Sequence, residues 1–317
     1  MPYDANFIED EVIPLPTANS RVLESAFGGD YIHHSRHSIL FNQARGFAFV
    51  SAHNVDGDEI SPAQFTDRDF EPDPQVDEAL QVDNNQGYLE SPGRGFGPNP
   101  WDRGHLARRK SLSWGDEADA RVAELESDFW TNITPQHERL HDTAWGPIED
   151  WMLERVQNSR QRACVFTGPV FTDDDPMHQN GDNEVPIQIP AGFWKVVTIK
   201  LDGTMRSAGF LIWQRDYDSD VPLSFSPLLE QVRLTTIEVL TGLTFPALRE
   251  FDPLIFDRQS RRRLMNISTS REVLRNRALS IPRPDLSESL DGLDDALILQ
   301  ATQPGNSIIT DKRDILL

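Results

Sequence analysis

A single cysteine, Cys164, is all that this chain of 317 residues contains. No intrachain disulfide can form, and a cysteine-rich zinc site is excluded. Cys164 stands in an apolar stretch, where a small buried residue is expected rather than a nucleophile. The chain also lacks any run of about 18 apolar residues, which excludes a membrane-spanning helix. Its first residues, Met1 to Glu11, have neither the basic start nor the apolar stretch of an export signal, so a cytoplasmic protein is expected. Positive charge is scarce: 30 Lys and Arg against 51 Asp and Glu give a net charge of −21. The first 100 residues hold five basic side chains, all arginine. Such a balance is awkward for a protein that grips phosphates, which calls for clustered cations.

What is present supports a folded protein. Hydrophobic residues make up 38% of the chain, enough for a substantial core in one large domain or two small ones. There are no internal repeats. The cations that do exist are clustered. Arg103, Arg108, Arg109 and Lys110 stand together, and residues 258–283 hold eight arginines with Glu272 as the sole acid. That second stretch reads either as a solvated helix face or as a phosphate-tracking surface on an acidic body that repels nucleic acid elsewhere.

The patterning predicts three regions: an irregular segment 1–37, a domain 38–283 and an acidic tail 284–317. His33, His34 and His37 form a His-His-x-x-His cluster without a helical frame or an acidic partner at regular spacing, so no metal role is assigned. Residues 38–54 read as a hairpin around Ala44-Arg45-Gly46. A long polar loop runs from about 55 to 100, a length that marks function or mobility. Helices are expected over 116–130, from Pro147 to about Arg162, and over Leu228–Leu240 before the stop signal Thr241-Gly242. Strands are expected over 131–136, 163–171, 186–189, 193–201 and 206–213. Asp173-Asp174-Asp175 reads as a turn. The tail holds a candidate acidic helix over 286–298 and could dock on the domain or on a partner. The fold class expected is α+β, with a central, mostly antiparallel sheet flanked by helices.

Asp102-Arg103-Gly104-His105 is the most informative run. It sets an imidazole beside a carboxylate and a guanidinium, on a turn expected to be tight enough to need glycine. Histidine exchanges a proton with water near neutral pH, and arginine offers a planar fork of donors to phosphate oxygens. The pairing points to phosphodiester hydrolysis. That reaction needs a base for water, a cation on the leaving oxygen and positive charge on the pentacovalent phosphorus.

Three further blocks follow in order. They are Thr131-Asn132-Ile133-Thr134-Pro135-Gln136 with Leu140-His141 and Glu149; Val165-Phe166-Thr167-Gly168-Pro169 with Phe193-Trp194-Lys195-Val196; and Thr241-Gly242-Leu243-Thr244-Phe245-Pro246. With the tetrad, they resemble the sugar-non-specific DNA/RNA endonucleases with a ββα-metal (His-Me finger) site, the family of the endonuclease G-like enzymes, over roughly residues 40–250. The resemblance implies His105 as general base and Arg103, with Arg68, as phosphate clamp. It implies one divalent ion, Mg²⁺ or Mn²⁺, with Asn132 and Glu149 organising its water. Glu149 is expected near the positive end of the helix from Pro147. The family places asparagine where this chain has His141, a softer and stronger donor that tilts the site towards Mn²⁺, Ni²⁺ or Zn²⁺; Asp142 is the alternative ligand. Arg103, Arg108, Arg109 and Lys110 are the expected nucleic-acid contacts, and nothing is assigned to His137, expected to be exposed.

The function expected is a metal-dependent endonuclease acting on DNA and, on this chemistry, RNA. Without an export signal it would threaten its own genome, so restraint by a regulatory partner, an oligomeric state or a trigger is expected, as in anti-phage defence or a toxin effector. The rivals are a nuclease-fold protein serving as a binding or scaffold subunit, and a phosphodiesterase of small diesters.

Overall fold

The structure is a computed structural model that describes residues 1–61, 69–88, 99–180, 184–214, 229–256, 307–308 and 315–317. Its strands, in chain order, are β1 (Thr17–Ala18), β2 (Ile32–His34), β3 (His37–Asn42), β4 (Phe47–Asp56), β5 (Trp101–His105), β6 (Ile133–His137), β7 (Arg162–Val170), β8 (Met177–His178), β9 (Ile187–Gln188), β10 (Gly192–Leu201), β11 (Thr204–Trp213), β12 (Glu230–Val232), β13 (Leu243–Thr244) and β14 (Ser307–Ile308). The helices are α1 (Ser20–Ser25), α2 (Asn84–Gly87), α3 (Arg109–Leu112), α4 (Glu117–Ser127), α5 (Glu138–Leu140), α6 (Gly146–Ser159), α7 (Leu234–Thr241) and α8 (Pro253–Phe256).

Eight strands form one sheet in the order β14-β12-β11-β10-β7-β4-β3-β2, with every pairing antiparallel. The α+β class and the mostly antiparallel sheet are as expected. Local chemistry sets its hairpins. Gly46 (φ 73°) turns β3 into β4, and the pair Asp202 (φ 49°) and Gly203 (φ 74°) turns β10 into β11, positive φ at both central residues matching the strand twist. The central strands are buried on both faces, which is why they read as nearly unbroken apolar runs. One face packs Phe41, Val165, Phe193 and Phe210 against Trp145, Ile148, Met152 and Val156 of the helical run ending in α6. The other packs Val50, Phe166, Trp194 and Leu211 against Leu234 and Ile237 of α7 and against Tyr3, Phe7 and Ile13. The segment 1–37 is therefore not irregular throughout but contributes to the core: β1 pairs with β13 and β2 with β3.

Other expectations shift. The stretch 228–240 splits, with strand β12 before helix α7, whose C-cap Gly242 has φ 71° as its stop signal demands. Leu316 exchanges two hydrogen bonds with the Gln231 side chain, and Leu317 is buried in the core, so the end of the chain docks on its own domain. The acidic helix expected at 286–298 and the arginines of 258–283 lie outside the described residues. Cys164 is buried, and burial pushes its thiol up to about 12, the inert state expected. Among the described residues no helix is long and apolar enough to cross a membrane.

Each ring of the histidine cluster is met by a neighbouring protein group. His34 Nε2 meets Asp73 Oδ2 at 2.9 Å, His33 Nδ1 meets Ser38 Oγ at 2.8 Å, and His37 Nδ1 donates to the Ser35 carbonyl at 3.0 Å. No group of three or more ligating side chains suited to a metal exists among the described residues. His37 faces His53 across β3 and β4, and both are fully buried. Burial depresses His37 to about 3 and His53 well below the usual range. The unfolded chain therefore binds more protons than the native one between roughly pH 6.5 and 3. Stability contributed by the neutral rings is complete above that window and is lost as pH falls through it. The urea midpoint is expected to be lower at pH 5 than at pH 7.5, and a His37→Phe, His53→Phe variant should show a smaller drop.

Candidate active site

β5 and β6 form a separate two-stranded ribbon beside the main sheet, with His105 opposite Ile133, Gly104 opposite Thr134 and Asp102 opposite Gln136. Side chains opposed across such a ribbon share a face. His105 and Arg103 therefore lie on one face, while Gly104, Thr134 and Gln136 lie on the other. Gly104 stands in a strand and not in the tight turn expected, and it has no positive φ. It is glycine for a different reason: a Cβ there would come within 2.7 Å of Gln136 Cβ and 2.9 Å of the Thr134 carbonyl. The missing side chain leaves room for Gln136.

On the first face, His105 Nε2 meets Asp128 Oδ1 at 2.7 Å, and its ring packs 5.6 Å from that of Phe70. Phe70 stacks on Trp130, which stacks on Tyr88, so the imidazole ends an aromatic column. The His105 side chain keeps 16% of its surface open to solvent. Arg103 lies over Phe70 at 5.0 Å and gives Asn84 Oδ1 two hydrogen bonds, at 2.9 and 2.6 Å. Burial draws its pKa down, opposed by Asp102, yet guanidinium remains a cation at any working pH.

On the second face, His141 Nδ1 lies 3.2 Å from Gln136 Oε1. An amide oxygen can only accept, so the ring proton sits on Nδ1 and the Nε2 lone pair is left to bind. This donor chemistry fits a divalent cation on His141. Asp142 is exposed on the same π-helical turn, His141–Trp145. That turn joins α5 to α6 without a break, so the helical run begins at Glu138 and not at Pro147. Glu149 is consequently remote from any helix start, and the dipole expected to act on it does not. Two cations take its place. Glu149 Oε1 lies 3.2 Å from Lys195 Nζ, and its Oε2 lies 3.7 Å from Arg108 Nε. Lys195 is itself buried and donates to Thr167 Oγ1 at 2.6 Å. Burial lowers its pKa, and the Glu149 carboxylate works against that shift.

Several expected roles are redistributed. Asn132 is fully buried and wholly engaged with backbone: it accepts from Ala107 N–H at 2.9 Å and donates to the carbonyls of Ala107 and Ser127 at 3.0 and 2.8 Å. Its amide staples the chain leaving β5 to the end of α4. Arg108 and Arg109 are spent inside the protein, Arg108 on Glu149 and Asp150, Arg109 on Glu124 and Asp128, which leaves Lys110 as the exposed cation of the run. The two neighbouring arginines thus tie the His105 group and the His141–Glu149 group together at the end of the ribbon. His137 is buried, accepting from Arg139 N–H and set edge-on to Trp101. Arg68 lies outside the described residues. Asp128 and Phe70 are additions that the sequence did not single out, and Gln136 and Lys195, which stand in the ordered blocks, had been given no role. A lysine inside an apolar strand pattern was a signal for Lys195.

The model of a family described as DNA/RNA non-specific endonuclease matches residues 17–249. The chain is similar to the protein y4fB of Sinorhizobium fredii, 29% identical over 238 residues that cover 71% of this chain and 34% of that one. It is similar also to a nuclease of Serratia marcescens, 31% identical over 147 residues, 45% of this chain and 49% of the relative. The chain thus spans about a third of the first relative's length and about half of the second's. Among solved structures, the crystal structure of the EndoG/EndoGI complex shares the fold, with a TM-score of 0.50 at 18% identity, covering 73% of this chain and 92% of that one.

Proposed function

Because this chain belongs to the DNA/RNA non-specific endonuclease family, we propose that it is a metal-dependent endonuclease that hydrolyses phosphodiester bonds of DNA and RNA, with His105 as the base. The observation that supports this most is the imidazole of His105 at the open end of the β5–β6 ribbon, anchored through one nitrogen and flanked by Arg103. Its Nδ1 would take the proton of the attacking water, and Arg103 would place positive charge on the phosphate as the transition state forms. His141 would hold a divalent cation, whose contribution when bound is to stabilise charge on the leaving oxygen. Glu149, locked between Lys195 and Arg108, holds those cations beside the site. Contacts to the phosphate backbone carry no sequence information, so selectivity for sequence should be weak.

The test is nicking of supercoiled plasmid, and cleavage of a mixed RNA, across Mg²⁺, Mn²⁺, Ni²⁺, Zn²⁺ and excess EDTA. Cleavage that EDTA abolishes and a divalent ion restores is expected, with the softer ions favoured by His141. Binding without cleavage under every ion would leave a scaffold role instead. Cleavage of bis-nitrophenyl phosphate with plasmid untouched would point to a small-diester enzyme. Biologically, we carry forward an effector held in check by a partner or trigger, anti-phage defence being one setting. Full-rate plasmid degradation by the purified chain alone, unchanged on deleting residues 284–317, would refute that restraint.

A further inference from the structure

We propose that Asp128 is the positioning residue of His105: it sets the tautomer and aim of the imidazole, with Arg109 and Glu124 as its buried brace. The inference rests on the reading of His105 as base and adds what makes that ring competent. Asp128 is buried, and its Oδ1 lies 2.7 Å from His105 Nε2. An ionised carboxylate only accepts, so the ring proton is held at Nε2 and the Nδ1 lone pair is left facing away from the protein's own acid. The other carboxylate oxygen is claimed by Arg109, whose Nη1 lies 2.8 Å from Oδ2, and Arg109 Nε reaches Glu124 Oε2 at 3.1 Å. Acid, base and acid thus alternate with nearly all their surface removed from water, since Glu124 and Arg109 are buried too.

The backbone makes this arrangement stiff. Asp128 caps the last turn of α4, and its N–H bonds the Leu125 carbonyl at 3.0 Å. The Asn132 amide grips Ser127, the residue before Asp128, and Ala107, two residues after His105. One buried side chain therefore fixes the spacing between the segment that carries the base and the segment that carries its orienting acid. Phe70 completes the socket against the ring. This explains why Arg109 and Asn132 are spent inside the protein: both serve the placement of one imidazole.

The informative substitution is Asp128→Asn. Arg109 has only donors, so it should keep the amide oxygen and turn the NH₂ group onto His105 Nε2. Nε2 must then accept, the proton moves to Nδ1, and the lone pair that would take the water's proton is gone. The experiment uses full-length chain labelled with ¹⁵N-histidine and long-range ¹H–¹⁵N spectra, with the ring of residue 105 assigned through His105→Gln. The parent is expected to show protonated Nε2 and bare Nδ1, and Asp128→Asn the reverse. In plasmid cleavage, the variant's kcat should fall on the order of 10²–10⁴-fold with KM close to the parent's, a split that general loosening would not give. A bare Nε2 in the parent, or an Asp128→Asn protein with parental kcat and tautomer, overturns the assignment. Should Asp128→Asn fail to fold, the parent spectrum still decides. Should the parent cleave nothing under any ion, the nuclease reading falls on its own, and the spectra alone judge whether Asp128 orients the ring.

Discussion

Replacing His105 with alanine is expected to lower kcat for plasmid cleavage roughly 10²–10⁴-fold, the range over which positioned acid–base groups act. KM should change little, because on the proposed mechanism the imidazole would touch the reacting water and not the bulk of the substrate, while Arg103 would still be there to meet the phosphate. The fold should survive. The ring is partly exposed, and Asp128 keeps its Arg109 partner when Nε2 is removed. The measurement is steady-state nicking of supercoiled DNA beside a thermal melt followed by circular dichroism. A variant that cleaves within a few-fold of the parent, with an unchanged melt, would remove His105 from the chemistry and with it the proposed mechanism.

The second large effect is on stability. Lys195→Met should cost about 3–5 kcal/mol, the cost of leaving one member of a buried ion pair uncompensated. The lysine sits on the sheet face that meets the helical run, 3.2 Å from Glu149 Oε1 and 5.2 Å above the ring of Trp145. Without it, Glu149 would keep only Arg108, whose Nε stands 3.7 Å from the carboxylate. The carboxylate would then be buried with most of its balancing charge gone. Lys195→Met, Glu149→Leu should recover much of the loss, since apolar groups of similar volume replace buried pairs at little cost. Urea titrations of the two single variants and the double variant give the coupling energy directly. Near-additive losses would show that the two charges do not depend on each other, and a Lys195→Met cost below about 1 kcal/mol would argue that water reaches the pair.

Much of the fold was readable before any coordinates. The hairpin over 38–54, the paired strands 193–201 and 206–213, and the stop at Gly242 are written in alternation and in positive-φ residues, which act over a few neighbours. The ordered blocks from Asp102 to Pro246 carried the family as well. The helix expected from Pro147 is α6, Gly146–Ser159, but the sequence did not show that a π-helical turn at His141–Trp145 joins it to α5, so that helical backbone runs through from Glu138. That continuity removes the free helix start on which the dipole argument for Glu149 rested.

The site divides along a similar line. His105 and Arg103 were nameable because their residue types announce chemistry, and His141 and Glu149 because the family resemblance points to those positions. Whether a given charge is free for substrate was not. Arg108 and Arg109 are adjacent in sequence and identical in kind, yet one meets Glu149 and the other Glu124 and Asp128, residues 15 to 41 positions further along the chain. That the Asn132 amide spans three backbone groups is likewise invisible in the sequence.

Sequence by itself determined the strand pattern, the turn positions and the inventory of reactive groups, since these depend on steric and hydrophobic preferences of near neighbours. Only the tertiary structure decided which cations are already neutralised, which nitrogen of His105 is held by Asp128, and which acid faces Lys195. Those outcomes depend on electrostatics between segments brought together by folding, and a buried charge takes whichever partner the packing delivers.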